Sequence, residues 1–286
     1  MDGTISFLER GNIRQRIEMP CGQCMGCRLE RTRQWAIRCM HEGQMHGTEN
    51  SFITLTYDDE HLTNPSLNYR DFQLFMKRFR QEVNKPIRFF MCGEYGDVNR
   101  RPHFHACIFG WRFHDRKPWS TGDSGATNYR SAQLEKLWPL GYSMVGDLNY
   151  QTAQYCASYI IKKITGDLAE QHYRYLNPET GEIHQLTPEF CQMSRKPGIG
   201  YEWFQKYGQR QKDFDTVVIN GRESSPPKYY DKLRRRQDKT EIQEAKDQRE
   251  YKYRLKKLDN TDARLLVKEE CALSRRKFHK TRKGTL

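Results

Sequence analysis

Four things are missing from this 286-residue chain, and each absence excludes a class of protein. No apolar run approaches the ~18 residues that a membrane-spanning helix requires, so no contact with a membrane is expected. No Gly-x-x-x-x-Gly-Lys-Ser/Thr loop occurs, so the sequence does not encode an ATP-driven motor. The start, Met1-Asp-Gly-Thr-Ile-Ser6, lacks a basic stretch followed by an apolar core, so no secretory leader is expected. A second Cys-x-x-Cys is absent as well, which removes the standard paired zinc ribbon. Nine cysteines without a leader then read as thiols or metal ligands in a reducing cytoplasm.

What is present is positive charge. The net charge is +13, and +10 of it falls in residues 222–286, with 21 Lys and Arg against 11 Asp and Glu. A basic chain favours a polyanionic partner, because neutralising phosphates releases condensed counterions. Most of the chain is close to neutral, and the tail is the electrostatic arm. Its runs Lys232-Leu-Arg-Arg-Arg236 and Arg275-Arg-Lys277 to Lys283 suit phosphate contact without base reading, or helical self-association. Composition shifts predict three regions: a cysteine-bearing segment and helix over 1–50, a catalytic domain over 51–220, and a charged tail over 221–286.

Periodicity supplies the elements. A helix is expected from Arg28 to Gln44, and a β-rich run over Ser51–Tyr57. Phe72, Phe75, Met76 and Phe79 recur at helical spacing within Tyr69–Val83, ahead of Pro86. Ile87–Tyr95 and His103–Phe109 read as strands, Ser131–Trp138 as a short helix and Tyr142–Leu148 as a strand. Gln151–Thr165 is expected as a helix closed by Gly166. After the basic turn Ser194–Gly200 comes an aromatic helix, Tyr201–Tyr207. The order β-α-β-β-α-β-α predicts an α+β fold, an antiparallel sheet with helices packed on one face.

Arg101-Pro-His103-Phe-His105 holds the chemistry. Side chains alternate along a strand, so His103 and His105 project to one side while Phe104 packs on the other. Glu94, at the end of the preceding strand, lies where a hairpin brings a carboxylate beside the imidazoles. Two imidazoles and a carboxylate suit a divalent cation with open positions, Mg²⁺ or Mn²⁺. Tyr155 and Tyr159 fall on one face of their helix, with Lys162 three residues on. A phenol near pKa 10 is a poor nucleophile at neutral pH, so such residues need assistance from a cation, a lysine or a base. Spacing alone fits equally well a histidine pair that only packs and tyrosines that cap a core. Cys21-x-x-Cys24-x-x-Cys27, with Cys39 or His41 downstream, matches a structural Zn²⁺ site or a set of reduced thiols. Cys92, Cys107 and Cys156 are expected as small apolar fillers.

The chain resembles the HUH endonucleases, and most closely the replication initiators of gokushoviruses, single-stranded DNA phages of the Microviridae. The residues that carry this are Pro20-Cys-Gly-Gln-Cys-Met-Gly-Cys-Arg-Leu-Glu30, Gln34–Glu42, Phe52–Tyr57, Gly93-Glu-Tyr-Gly96, Arg101–His105, Tyr155–Lys163 and Ser194–Gly200. The resemblance implies an RRM/ferredoxin-like sheet. It implies Glu94, His103 and His105 as metal ligands, Tyr155 and Tyr159 as nucleophiles and Lys162 as their assistant. It further implies nicking of origin DNA, single-stranded or supercoiled replicative-form, through a 5′-phosphotyrosyl intermediate with a free 3′-OH. Rejoining into a circle would follow, with host helicase and polymerase as partners in the cytoplasm of the bacterial host. Ser158 departs from the family pattern, where a basic residue is common, which leaves Tyr159 the better assisted tyrosine. A two-tyrosine transposase or plasmid initiator on the same core, and a non-catalytic basic DNA-binding protein, are the competing readings.

Overall fold

The protein is seen in a computed structural model that describes residues 19–96, 99–122, 125–164, 166–177 and 181–281. Its elements run α1 (Met25–Met45), β1 (Asn50–Tyr57), α2 (Tyr69–Val83), β2 (Arg88–Tyr95), β3 (Pro102–Phe109), β4 (Lys117–Thr121), β5 (Thr127–Arg130), α3 (Ala132–Leu137), β6 (Gly141–Gly146) and α4 (Tyr150–Lys162). They continue through α5 (Leu168–His172), β7 (Arg174–Leu176), β8 (Ile183–Gln185), β9 (Phe190–Met193) and α6 (Tyr201–Phe214). The last are β10 (Val217–Ile219), β11 (Arg222–Ser224), α7 (Lys228–Gln237), α8 (Lys239–Leu255) and α9 (Asp262–Thr281).

Seven strands form one antiparallel sheet in the order β4-β5-β6-β1-β3-β2-β9. The fold class is the expected α+β. The cover of the sheet differs from expectation, because helices lie on both faces rather than one. On one side Phe72, Phe75, Met76 and Phe79 of α2, with Leu134 and Leu137 of α3, meet Ile53, Leu55, Phe104 and Ile108. On the other, Ala36 and Cys39 of α1 and Ala153, Cys156 and Ala157 of α4 meet Phe90, Cys92, Cys107 and Phe109. The two covers explain why β2 and β3 are apolar almost throughout, whereas β1 alternates buried with half-buried residues.

Local chemistry sets the helix starts. Asn68 caps α2 by accepting from the Arg70 N–H at 3.0 Å. Asn149 and Thr152 form a capping box at the start of α4. Burial of the α2 phenylalanines stabilises the fold by about 1.5–3 kcal/mol each. The small side chains Ala153, Cys156 and Ala157 let α4 approach the sheet closely, which fixes the distance between its tyrosines and β3. The three cysteines expected as apolar fillers are fully buried.

The Ser194–Gly200 turn is held from α1. Glu42 accepts the Gly200 N–H at 2.7 Å and pairs with Arg88, while Arg38 donates to the Ile199 carbonyl at 3.0 Å. Gly200 has φ +79°, and a Cβ there would meet the Tyr230 hydroxyl at 2.6 Å, so only glycine fits. In the tail, Arg234 is 2% exposed and faces Asp215, so of the expected phosphate-gripping run it is Lys232, Arg235 and Arg236 that reach solvent. The side chains of residues 276–281, and residues 282–286 entirely, lie outside the described residues, as does the lead before residue 19. Among the described residues no helix is long and apolar enough to cross a membrane.

Candidate active site

β1, β2 and β3 bring the expected residues together by register. Glu94 pairs with His103, which pairs in turn with Thr56; Cys92, His105 and Thr54 form the next row. Directly opposed residues of an antiparallel pair share a face, so two rows of polar side chains project together. The Thr56 hydroxyl bonds His103 Nδ1 at 2.9 Å, and the Thr54 hydroxyl bonds His105 Nδ1 at 3.0 Å. With Nδ1 committed to a hydroxyl, each ring turns its Nε2 toward the site. His105 Nε2 lies 2.8 Å from Glu94 Oε1, and both side chains are buried.

The donor set, two imidazole nitrogens and a carboxylate, suits a divalent cation once each Nδ1 carries the ring proton and donates it to its threonine. The set is open: the two imidazole centroids are 6.3 Å apart, and among the described residues only a cysteine cluster gathers three ligand atoms within 4.8 Å. Gly96 closes one side. A Cβ there would stand 2.7 Å from His103 Nε2, so a side chain at 96 would displace the imidazole.

α4 lays both tyrosines against the same imidazole. Tyr155 meets His105 edge-on with centroids 5.1 Å apart, and Tyr159 stacks on it at 5.4 Å with 8° between planes. The two tyrosines meet each other edge-to-face at 5.0 Å. Their environments differ. Tyr155 is half-buried, whereas Tyr159 is 3% exposed, and burial followed by the Glu94 carboxylate pushes its phenol far above the ordinary value. The expectation that Tyr159 is the better assisted of the two is therefore reversed in this arrangement, with Tyr155 the accessible one. Lys162 ends α4, but its side chain lies outside the described residues. Arg28 of α1 donates to the Lys163 carbonyl at 3.0 Å and so satisfies the end of that helix.

The flanking arginines do a different job from the phosphate approach foreseen for them. Arg101 donates to the Tyr57 carbonyl at 2.8 Å and pairs with Asp59, and Arg100 donates to the His172 carbonyl at 3.2 Å. They brace the β2–β3 loop. Sequence reasoning missed Thr54 and Thr56, although the alternation of Phe52-Ile-Thr-Leu-Thr-Tyr57 already puts both on the face opposite Ile53 and Leu55.

The cysteine reading divides. The Sγ atoms of Cys21, Cys24 and Cys27 lie within 4.8 Å of one another, a cluster able to hold a metal ion. The Cys21 thiol is lowered to about 7, chiefly by the backbone N–H of Cys24. Cys39 and His41 do not join them. Twelve residues of helix carry Cys39 about 18 Å beyond Cys27, into the core beside Cys107. His41 stacks on Trp203 at 3.5 Å and bonds the Tyr230 hydroxyl at 2.8 Å.

Residues 50–164 match the family of replication-associated protein ORF2. Replication-associated protein VP4 of Bdellovibrio phage phiMH2K is 36% identical over 220 residues, 74% of this chain and 65% of that protein. Replication-associated protein ORF2 of Spiroplasma virus 4 is 30% identical over 247 residues, 81% of this chain and 73% of that protein. Replication-associated protein ORF4 of Chlamydia phage 1 is 30% identical over 227 residues, and the match spans 76% of this chain but 54% of that relative. No solved structure matches. The cross-strand rows, the two-tyrosine helix and these relatives agree, and the chain belongs to the replication-associated protein ORF2 family, among the Microviridae-type rolling-circle replication initiators.

Proposed function

We propose that the protein initiates rolling-circle replication of a phage genome by cutting one DNA strand with a tyrosine. The observation that supports this most is the meeting of Tyr155 and Tyr159 with His105, whose neighbours supply a carboxylate and a second imidazole. Tyr155 Oη forms a bond to phosphorus, and the bond from phosphorus to the 3′ oxygen breaks. The phenolic proton ends on that departing oxygen, directly or through water. The products are a 5′-phosphotyrosyl strand and a 3′-OH that primes synthesis, and the phosphoryl bond is kept for rejoining.

Glu94, His103 and His105 would hold Mg²⁺ or Mn²⁺, which supplies charge neutralisation at the phosphate and the leaving oxygen. Thr54 and Thr56 orient the imidazoles. Burial of Tyr159 holds its proton in the first cut and reserves it for the second, when the regenerated junction is cleaved and the ends are joined into a circle. Lys162, one turn beyond Tyr159, assists at the phosphate. Unwinding and synthesis come from a host helicase and polymerase, in the cytoplasm of the bacterial host. Cys21, Cys24 and Cys27 supply three thiolates to a structural Zn²⁺ at the start of α1.

Incubation with supercoiled replicative-form DNA and Mn²⁺ tests this. Open-circular product is expected, lost on chelation and in His103→Ala. Nicks that carry free 5′-phosphates and no protein would indicate a hydrolytic nuclease instead.

A further inference from the structure

The sheet face that carries His103 and His105 is only partly covered. α1 and α4 close over Phe90, Cys107 and Phe109, but the polar rows run on past them across the sheet. Thr56 pairs with Tyr142 of β6, and Thr54 with Met144, so the full rows read Glu94–His103–Thr56–Tyr142 and Cys92–His105–Thr54–Met144. Tyr142 therefore shares a face with His103, two strands away, about 10 Å at the usual strand spacing. It is 61% exposed, and Met144, Thr54 and Thr56 are half-buried, so among the described residues nothing closes over this strip.

An exposed tyrosine is ordinary by itself. This one stands in the row of a site histidine, on a flat strip of threonine and methionine that carries no carboxylate until Glu94. The nearest acidic side chains past the strip are engaged: Asp58 by His61 at 2.7 Å and Asp59 by Arg101. At the free edge, the β4–β5 hairpin sets Trp119, 65% exposed, with the Arg130 guanidinium 5.1 Å from its ring. Glu135 bonds Arg130 at 2.6 Å, which fixes the guanidinium and offsets part of its charge, while Lys117 pairs with Arg130 across the hairpin.

We propose that this strip is the bed for the single DNA strand flanking the scissile phosphate. Tyr142 stacks on the base next to the cut, and Trp119 stacks on one farther along, at the sheet edge. Stacking on aromatic rings tolerates any base and suits a single strand, whose bases are unpaired. A duplex presents no free ring face to such a platform.

The inference rests on the proposed cleavage at Tyr155 for its direction, and its test is independent of cleavage. Binding of the full chain to a fluorescein-labelled mixed-sequence single strand is followed by anisotropy in chelator. Tyr142→Ala and Trp119→Ala are each expected to weaken binding about tenfold, with duplex affinity unchanged. Tyr142→Phe, which keeps the ring, should restore it. Circular dichroism melts of the variants should match the parent, since both side chains are exposed. Wild-type single-strand affinity in either alanine variant overturns the proposal, and so does an equal loss on duplex. A change of oligomeric state with intact DNA affinity would assign the strip to a second copy of the chain and overturn it too. Loss of binding in these variants alongside absence of any protein–DNA adduct would leave the bed standing and remove the chemistry.

Discussion

Tyr159 lies flat on the His105 imidazole, 5.4 Å between centroids, and Tyr155 meets that ring at right angles from the more open side. One helix thus delivers two phenols to one imidazole in unequal environments, and the inequality has kinetic consequences.

Tyr155→Phe should lower first-strand nicking on the order of a hundredfold or more, because the nucleophile itself is removed. Tyr159→Phe should leave first-strand nicking within a few-fold and impair production of closed unit circles. Gel analysis of open-circular and closed products separates the two. Equal and complete loss in both variants would contradict the division of labour.

The threonine hydroxyls at 2.9 and 3.0 Å from the histidine Nδ1 atoms orient the rings without touching DNA. Thr56→Val keeps shape and removes the hydrogen bond. It should raise the Mn²⁺ concentration for half-maximal nicking about 10–100-fold, the usual scale for loss of such support, and saturating Mn²⁺ should recover most activity. An unchanged Mn²⁺ requirement would show that the hydroxyls do not hold the rings.

Gly96→Ala tests the same ring from the other side. The new Cβ would fall 2.7 Å from His103 Nε2, so nicking should drop as in His103→Ala while the melting temperature stays close to the parent's. Full activity in Gly96→Ala would mean that His103 can yield without cost.

If Cys21, Cys24 and Cys27 hold zinc, Co²⁺ added to metal-free protein should give thiolate-to-cobalt absorption that Cys24→Ser abolishes and Cys39→Ser retains. The Arg28 bond to the Lys163 carbonyl ties this corner to the end of α4, so chelation should also speed amide exchange at the end of that helix. Absorption that survives Cys24→Ser would place the ion elsewhere.

His41 is buried between Trp203 and Tyr230, and burial pushes its pKa down to about 3. An unfolded chain binds a proton there below about 6.5 while the folded one does not. Folding stability should therefore fall by about 1.4 kcal/mol per pH unit from this group between pH 6.5 and 3, with full stability above that window. His41→Phe keeps the stacking, and its urea midpoint should vary less between pH 7 and 5 than the parent's. An identical pH slope in the two proteins would refute the assignment.

Much of the sheet was legible because its code is local. Alternation in Phe52–Tyr57, the helical stripe of α2 and the His-x-His strand each carry their own period. The two-sided cover was legible too, in the unbroken apolar runs of β2 and β3, but such a run cannot by itself be told from a half-exposed strand with a few extra apolar residues. The β4–β5 hairpin and β9 escaped because they are short, exposed or half-buried, and paired by distant partners. At the site, the pairing of Glu94 with His103 followed from a hairpin that sequence suggested. Burial of Tyr159 did not, since it depends on how closely Ala153, Cys156 and Ala157 let α4 settle. Cys39 and His41 looked like ligands because sequence spacing ignores the length of the helix between them and the first three cysteines.

The most direct test uses a 3′-labelled origin-strand oligonucleotide incubated with the protein and Mn²⁺ and resolved on a denaturing gel. Label should move with the protein, and the labelled peptide should map to Tyr155. Label that runs only as free DNA, or a peptide that contains neither Tyr155 nor Tyr159, would contradict cleavage by a tyrosine at this site.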